Sequence, residues 1–156
     1  MDQMRESVFA ILGDLKGKSF LDIFSGSGVI ALEAASRGAG PVEAVEKDPG
    51  KRESLLANLA ISPAPIRCRI MSAELYVMRA KTAFDIIFLD PPFPYKYKWD
   101  LLSRVMRSPL CAEGTLALIH RPAEDNPPDE IAGAEKSDSR RYGRSIVDFF
   151  VAATRR

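Results

Sequence analysis

Apolar residues open the chain at helical spacing. Met4, Val8, Ile11, Leu12 and Leu15 share one face and Asp2 can cap the start, which predicts an amphipathic helix over residues 2–15, closed by Gly17. The period then shortens. Residues 19–24, Ser-Phe-Leu-Asp-Ile-Phe, read as a buried strand, and the turn Ser25-Gly26-Ser27-Gly28 opens a helix from Val29 to about Arg37 that Gly38 stops. Residues 42–46 read as a second strand. Asp48-Pro49 is a cap followed by a first-turn proline, and the helix behind it runs to about Ile61 with Leu55, Leu56 and Leu59 inward. Ser62-Pro63-Ala64-Pro65 breaks it. Residues 66–71 predict a third strand, and Ser72 caps a short helix through Met78. The apolar run Phe84-Asp85-Ile86-Ile87-Phe88-Leu89 reads as a fourth strand, buried and parallel. Leu101, Leu102, Val105 and Met106 mark a further helix, and residues 115–120 a fifth strand. Residues 121–138 read as a polar surface connection, 140–144 as a hairpin turn region around Gly143, and 146–152 as the last strand.

Strands alternating with helices predict an α/β fold, Rossmann-like, with right-handed crossovers. The expected sheet is seven-stranded and mostly parallel, with a C-terminal antiparallel hairpin and helices on both faces. In such sheets ligands lie beyond the carboxyl ends of the strands. Two stretches stand there.

The first is Asp90-Pro91-Pro92-Phe93, at the end of the fourth strand. Neither proline has an N–H to donate, so pairing stops and a rigid loop begins. It carries a carboxylate on one side and an aromatic ring on the other. The carboxylate and a loop carbonyl can accept both N–H bonds of an exocyclic amine while the ring stacks on its base. A plain strand-ending turn would use the same residues.

The second stretch is the glycine turn. Gly26 and Gly28 let the backbone approach a ligand closely, and the helix behind them offers unsatisfied N–H groups. Glu46, twenty residues on at the end of the second strand, is placed for ribose hydroxyls. Gly26-x-Gly28-x-x-Ala31 formally fits a dinucleotide fingerprint. Yet Asp22 lies in the strand and Ser25 just before the first glycine. An acid there can bond an ammonium or a bound water and is a poor neighbour for a pyrophosphate. A cofactor with an amino-acid end and no phosphate, S-adenosyl-L-methionine, fits better.

Composition narrows the picture. A chain of 156 residues, 46% hydrophobic and 28% charged, is the size of one ordinary globular domain. Its net charge of +1 gives no global field toward nucleic acid, so any such contact is local. Cys68 and Cys111 lack metal-ligand spacing and read as buried thiols in a reducing cytoplasm, and the single histidine, His120, reads as a polar strand end. No metal is expected. No run is long enough to span a membrane. Pro94-Tyr95-Lys96-Tyr97-Lys98-Trp99 interleaves aromatics with lysines, which suits unstacked bases and phosphates, or packs the loop onto the core. Arg140, Arg141 and Arg144 are a second phosphate contact or a solvated turn. Asn126-Pro127-Pro128 imitates an amine-methylating loop but lacks a preceding strand, and Asp129 replaces the aromatic.

Residues 21–28, Leu-Asp-Ile-Phe-Ser-Gly-Ser-Gly, followed by Leu32-Glu33-Ala34 and Ser36-Arg37-Gly38-Ala39, resemble class I methyltransferases. More narrowly they resemble the bacterial 16S ribosomal RNA guanine-N2 methyltransferase family (RsmD-like). Val45-Glu46-Lys47-Asp48, Asn58-Leu59, the Asp90 loop, Tyr142-Gly143 and the Arg5-Glu6 and Phe9 pattern near the start add to the likeness, which covers nearly the whole chain. The resemblance implies one methyltransferase domain over residues 1–156, acting on the N2 amine of a guanine in small-subunit ribosomal RNA. It implies cofactor contacts from Asp22, Phe24, Ser25, Gly26, Ser27, Gly28, Glu46, Lys47, Ser72, Ala73 and Asp90, and chemistry at Asp90, Pro91, Pro92 and Phe93. It also implies a cytoplasmic, monomeric protein whose partner is ribosomal RNA or the small subunit. Three departures stand out: Ser72 where the family has an acid, Phe93 where tyrosine is common, and a start just past the family's basic N-terminal hairpin, as in a fragment or a shortened chain. Three other readings share part of the pattern: a nucleic-acid adenine-N6 methyltransferase, a nicotinamide-dependent oxidoreductase, and a non-catalytic RNA-binding module.

Overall fold

Asp2 and the apolar positions after it build helix α1 (Asp2–Leu12) in the computed structural model, which describes residues 2–153. The helix is shorter than its apolar pattern predicts. Gly13 enters the left-handed region (φ +72) and its N–H bonds the Phe9 carbonyl at 2.9 Å, which terminates the last turn. The buried face is Met4, Val8 and Phe9; Ile11 is 42% exposed, and Leu15 is buried from the segment beyond the helix.

The chain divides into two units, Met1–Ala73 and Glu74–Arg156. In the first, β1 (Phe20–Ile23), α2 (Val29–Ser36), β2 (Val42–Glu46), α3 (Arg52–Leu59) and β3 (Ile66–Ile70) follow α1. Strand β2 lies between β1 and β3, and both pairings are parallel, with Ile23 opposite Val45 and Glu46 opposite Ile70. Parallel strands covered on both faces need apolar side chains on both, and β1 and β2 are buried at every position. Strand β3 instead alternates, placing Arg67 and Arg69 within 3.7 and 3.6 Å of the buried Glu43 carboxylate on β2. Asp48 caps a 3-10 turn, Pro49–Lys51, by accepting the Gly50 N–H at 2.9 Å. The α-helix proper starts only at Arg52, so Leu55 and Leu59 face inward while Leu56 is 38% exposed, against the expectation that all three are inward. Cys68 is half-buried rather than buried, and Cys111 is buried.

The second unit holds nearly all of α4 (Ala73–Arg79), then β4 (Ile86–Leu89), α5 (Lys98–Arg107), β5 (Leu116–Pro122), β6 (Glu130–Ile131), β7 (Ala134–Tyr142) and β8 (Ser145–Val151). Strands β4 and β5 are parallel; β8 pairs antiparallel with β5 and with β7, and β7 with β6. Leu101, Leu102, Val105 and Met106 form the buried stripe of α5.

The α/β architecture stands in both units, but two expectations fail. There are eight strands among the described residues, not seven, and residues 121–138 are no surface connection. Strand β7 reads Ala-Glu-Lys-Ser-Asp-Ser-Arg-Arg-Tyr and is mostly exposed or half-buried. A strand with one face in water needs no apolar run, so hydrophobicity hides it. Arg140 and Arg141 therefore sit on β7, and only Gly143 and Arg144 make the turn into β8. Under this ladder lies a buried ion pair. Arg121 Nε meets Asp148 Oδ2 at 2.5 Å, Ser139 Oγ donates to Asp148 Oδ1 at 2.7 Å, and Arg121 Nη1 donates to the Asp125 carbonyl at 2.8 Å. Both charges are desolvated, which is tolerable only because each is hydrogen-bonded.

Candidate functional site

The glycine turn leaves β1 at Phe24, whose φ of +66 is unusual for a side-chain-bearing residue. Inside the turn, Ser25 Oγ donates to Asp22 Oδ2 at 2.7 Å and the Gly28 N–H to the Ser25 carbonyl at 3.0 Å. The two glycines have separate reasons. Gly28 (φ +86) is the N-cap of α2, and a Cβ there would lie 2.8 Å from Leu55 Cδ1 and 2.9 Å from Leu59 Cδ2. It is glycine so that α3 can pack against the turn. Gly26 (φ +58) would project a Cβ into open space. Its positive φ, and not crowding, is what favours glycine there.

Glu46 fastens the turn to β2. Its Oε1 accepts the Gly26 N–H and its Oε2 the Asp48 N–H, each at 2.9 Å, with the residue 8% exposed. Each carboxylate oxygen keeps a second lone pair, so hydroxyl donors can still be accepted. Asn58 Nδ2 donates to the Ser27 carbonyl at 2.8 Å, clamping the turn from α3. Beyond these, Lys47 is exposed after β2, Ser72 is half-buried immediately before α4, and Ala73 is buried at its first position.

The second candidate is the loop after β4. Pro91 is buried, and the Tyr95 N–H occupies the Pro92 carbonyl at 2.8 Å. Of the two proline carbonyls, that leaves Pro91's for an outside donor. Phe93 is 47% exposed, and the Asp90 side chain 25%. His120, which reads from sequence as no more than a polar strand end, stands under this loop. It is 2% exposed, its Nδ1 lies 2.9 Å from Asp90 Oδ1, and its ring meets the Phe93 ring edge-on at 5.6 Å. The signal that places it is topological. Leu89 on β4 is opposite Ile119 on β5, so the next residues, Asp90 and His120, are brought side by side.

The aromatic and basic stretch resolves into parts with different surroundings. Tyr95 donates its hydroxyl to Glu74 and meets Tyr97 edge-on at 6.2 Å; the two line a cavity of about 280 Å³ with Glu74, Asp100, Leu101 and Arg104. Burial first, and then the Glu74 carboxylate, push the Tyr95 phenol above the usual tyrosine range. Tyr97 and Lys96 are exposed. Lys98 is not available to RNA. Its side chain is 6% exposed and its ammonium is held by Asp125 at 2.5 Å, because the residue opens α5 on the inward side. The sequence pattern counted it with the phosphate-binding lysines, and the structure removes it. Arg140 is exposed but engaged with Asp138 Oδ2 at 2.8 Å, Arg141 donates to the Gly143 carbonyl, and Arg144 is exposed. Asp138, bonded by Arg140, is held below the usual carboxylate range.

A family model described as Conserved hypothetical protein 95 matches residues 1–151. The "Ribosomal RNA small subunit methyltransferase D" of Escherichia coli (strain K12) is 34% identical over 94 residues, 59% of this chain and 48% of that protein. The "tRNA1(Val) (adenine(37)-N6)-methyltransferase" of Salmonella typhi is 38% identical over 80 residues, 49% of this chain and 33% of that protein. The matches thus span about half or less of these curated relatives' lengths. A solved structure described as a conserved hypothetical protein of Streptococcus pyogenes superposes with a TM-score of 0.88 at 28% identity, covering 94% of each chain.

Proposed function

Because the chain belongs to the family described as Conserved hypothetical protein 95, an RsmD-like class I methyltransferase family, we propose that it methylates an exocyclic amine of an RNA base, the N2 amine of a guanine in small-subunit 16S ribosomal RNA. The observation that carries the reading is the loop after β4. There the Asp90 carboxylate, the Pro91 carbonyl and the exposed Phe93 ring lie within four residues, and one oxygen of Asp90 is anchored by His120. The family match runs through both units, which supports one methyltransferase domain.

The residues of the first unit fit S-adenosyl-L-methionine. Gly26 leaves clear space, Glu46 keeps acceptor capacity for ribose hydroxyls, and Asp22 and Ser25 supply polar groups without a phosphate cradle. The resemblance adds Phe24, Ser27, Lys47, Ser72 and Ala73 to that set. Bound there, the cofactor supplies an electrophilic methyl group on a sulfonium. The loop prepares the nucleophile. An aromatic amine is unreactive because its lone pair is delocalised into the ring. Asp90 and the Pro91 carbonyl, each accepting one N–H, favour a more tetrahedral nitrogen whose lone pair projects away from the base. Phe93 stacks on the base and holds that orientation. Orientation and fixed acceptors of this kind contribute several kcal/mol each, on the order of 3 for one well-placed hydrogen bond.

The Salmonella relative favours a second reading, methylation of an adenine N6 amine, which the same acceptor pair would serve. The deciding experiment incubates the protein with S-adenosyl-L-methionine and unmodified 16S ribosomal RNA, free or assembled into small subunits, and identifies the methylated nucleoside by mass spectrometry. N2-methylguanosine is expected. N6-methyladenosine would support the second reading, and no methylation with either substrate would overturn the first. Asp90→Ala should abolish transfer while calorimetry shows S-adenosyl-L-methionine still bound. Equal loss of both would move Asp90 into the cofactor site.

A further inference from the structure

Resting on the amine-methylation reading, we infer that His120 is the positioning residue of the loop: its Nδ1–H holds one oxygen of Asp90 so that the other is left, correctly oriented, for the substrate amine. An ionised carboxylate can only accept, so the 2.9 Å contact requires the proton on Nδ1. A neutral imidazole then carries its lone pair on Nε2. That atom is buried and has no hydrogen-bond partner among the described residues. Buried polar atoms are almost always paired, and a leucine or phenylalanine would fill the same core position with no orphaned nitrogen. What the imidazole provides, and an apolar side chain cannot, is the bond to Asp90.

The geometry shows what that bond does. The terminal torsion of an aspartate is broad and nearly two-fold, so a partly exposed carboxylate on a loop samples many orientations. Fixing Oδ1 from a residue on β5 fixes Oδ2 as well. The same imidazole also meets the Phe93 ring edge-on, with ring centroids 5.6 Å apart and planes at 66°. One buried side chain on a rigid strand thus sets both the acceptor and the stacking ring of the loop, which is how a loop site acquires strand-like precision.

The test exploits His120 being the only histidine in the chain. With imidazole nitrogen-15 labelling, one long-range proton–nitrogen correlation spectrum reports its tautomer. The expected spectrum of the unsubstituted protein near neutral pH shows the proton on Nδ1, and Asp90→Ala should abolish that preference. In methyl-transfer assays, His120→Gln places its amide too far along the side chain to reach Asp90. It should lower kcat roughly ten- to hundredfold and leave KM for S-adenosyl-L-methionine within about twofold. His120→Asn puts an N–H close to where Nδ1–H lies and should recover most of kcat. Circular dichroism checks that both variants fold. An unprotonated Nδ1 in the unsubstituted protein would overturn the inference, and so would equal turnover of the Asn and Gln variants. Absence of methyl transfer by the unsubstituted protein would instead overturn the methylation reading, and the nitrogen spectrum would still decide whether His120 donates to Asp90.

Discussion

Gly28→Ala should weaken the fold, and Gly26→Ala should weaken the cofactor site. At Gly28, φ is +86, where an alanine side chain costs about 1–2 kcal/mol. Its Cβ would also sit 2.8 Å from Leu55 Cδ1 and 2.9 Å from Leu59 Cδ2. Both are tips of flexible side chains, but Leu55 is 0% and Leu59 5% exposed, so neither has room to swing away. Overpacking of this kind costs about 1–3 kcal/mol. Loss of glycine's freedom in the unfolded chain returns about 0.4–1 kcal/mol. The net is about 1–4.6 kcal/mol, set against the roughly 5–15 kcal/mol that holds a domain together. Gly26→Ala meets nothing within 4 Å and carries only the strain at φ +58. It should cost about 1 kcal/mol in stability but, on the proposed placement of the cofactor at this turn, reduce S-adenosyl-L-methionine affinity by about tenfold or more. Urea unfolding followed by circular dichroism measures the first effect and calorimetry the second. A Gly28→Ala midpoint indistinguishable from that of the unsubstituted protein would refute the packing argument. Unchanged affinity in Gly26→Ala would refute the assignment of the turn.

Three further outcomes are expected. Glu46→Ala removes the acceptors of the Gly26 and Asp48 N–H groups and, on the proposed reading, of the ribose hydroxyls, so calorimetry should show affinity lower by about ten- to hundredfold and urea unfolding a loss of about 1–3 kcal/mol. Asp148→Ala strands the buried Arg121 guanidinium and should destabilise by about 3–5 kcal/mol; a loss under about 1 kcal/mol would contradict the burial of that pair. Tyr95 is held in its neutral form by burial and by Glu74, so its contribution is fully present below the ordinary tyrosine pKa of about 10 and is lost as pH rises through the higher folded value. In an alkaline absorbance titration one of the four tyrosines should therefore ionise late, and that component should vanish in Tyr95→Phe.

The parallel strands are legible in the sequence because burial on both faces favours short, mainly apolar runs: β4 is apolar throughout, and β1 and β2 are broken only by Asp22, Glu43 and Glu46. The glycine turn and the Asp90 loop are legible because glycine favours, and proline forces, backbone events that most residues resist. Strand β7 is not, since its outward face is free to be charged. Lys98 misleads for a related reason: its partner Asp125 is 27 residues away and invisible until α5 is set against the segment after β5. His120 is the instructive miss. Nothing local distinguishes it, and only the register that sets Leu89 opposite Ile119 gives it a role.

The Arg121–Asp148 pair also bears on how the protein is made. Arg121 emerges from the ribosome 27 residues before Asp148. Until β8 follows, β5 lacks its antiparallel partner, and its guanidinium would have to be buried without a counter-charge. The second unit therefore cannot close early around β4, α5 and β5 alone. The first unit faces no such wait, because each of its strands pairs with the next one synthesised. Those pairings can form while the apolar face of β5 is still uncovered. That face, during the time needed to translate some 27 more residues at about 5–20 per second, is where a nascent chain of this protein is most open to chaperone capture or to misassociation with another copy.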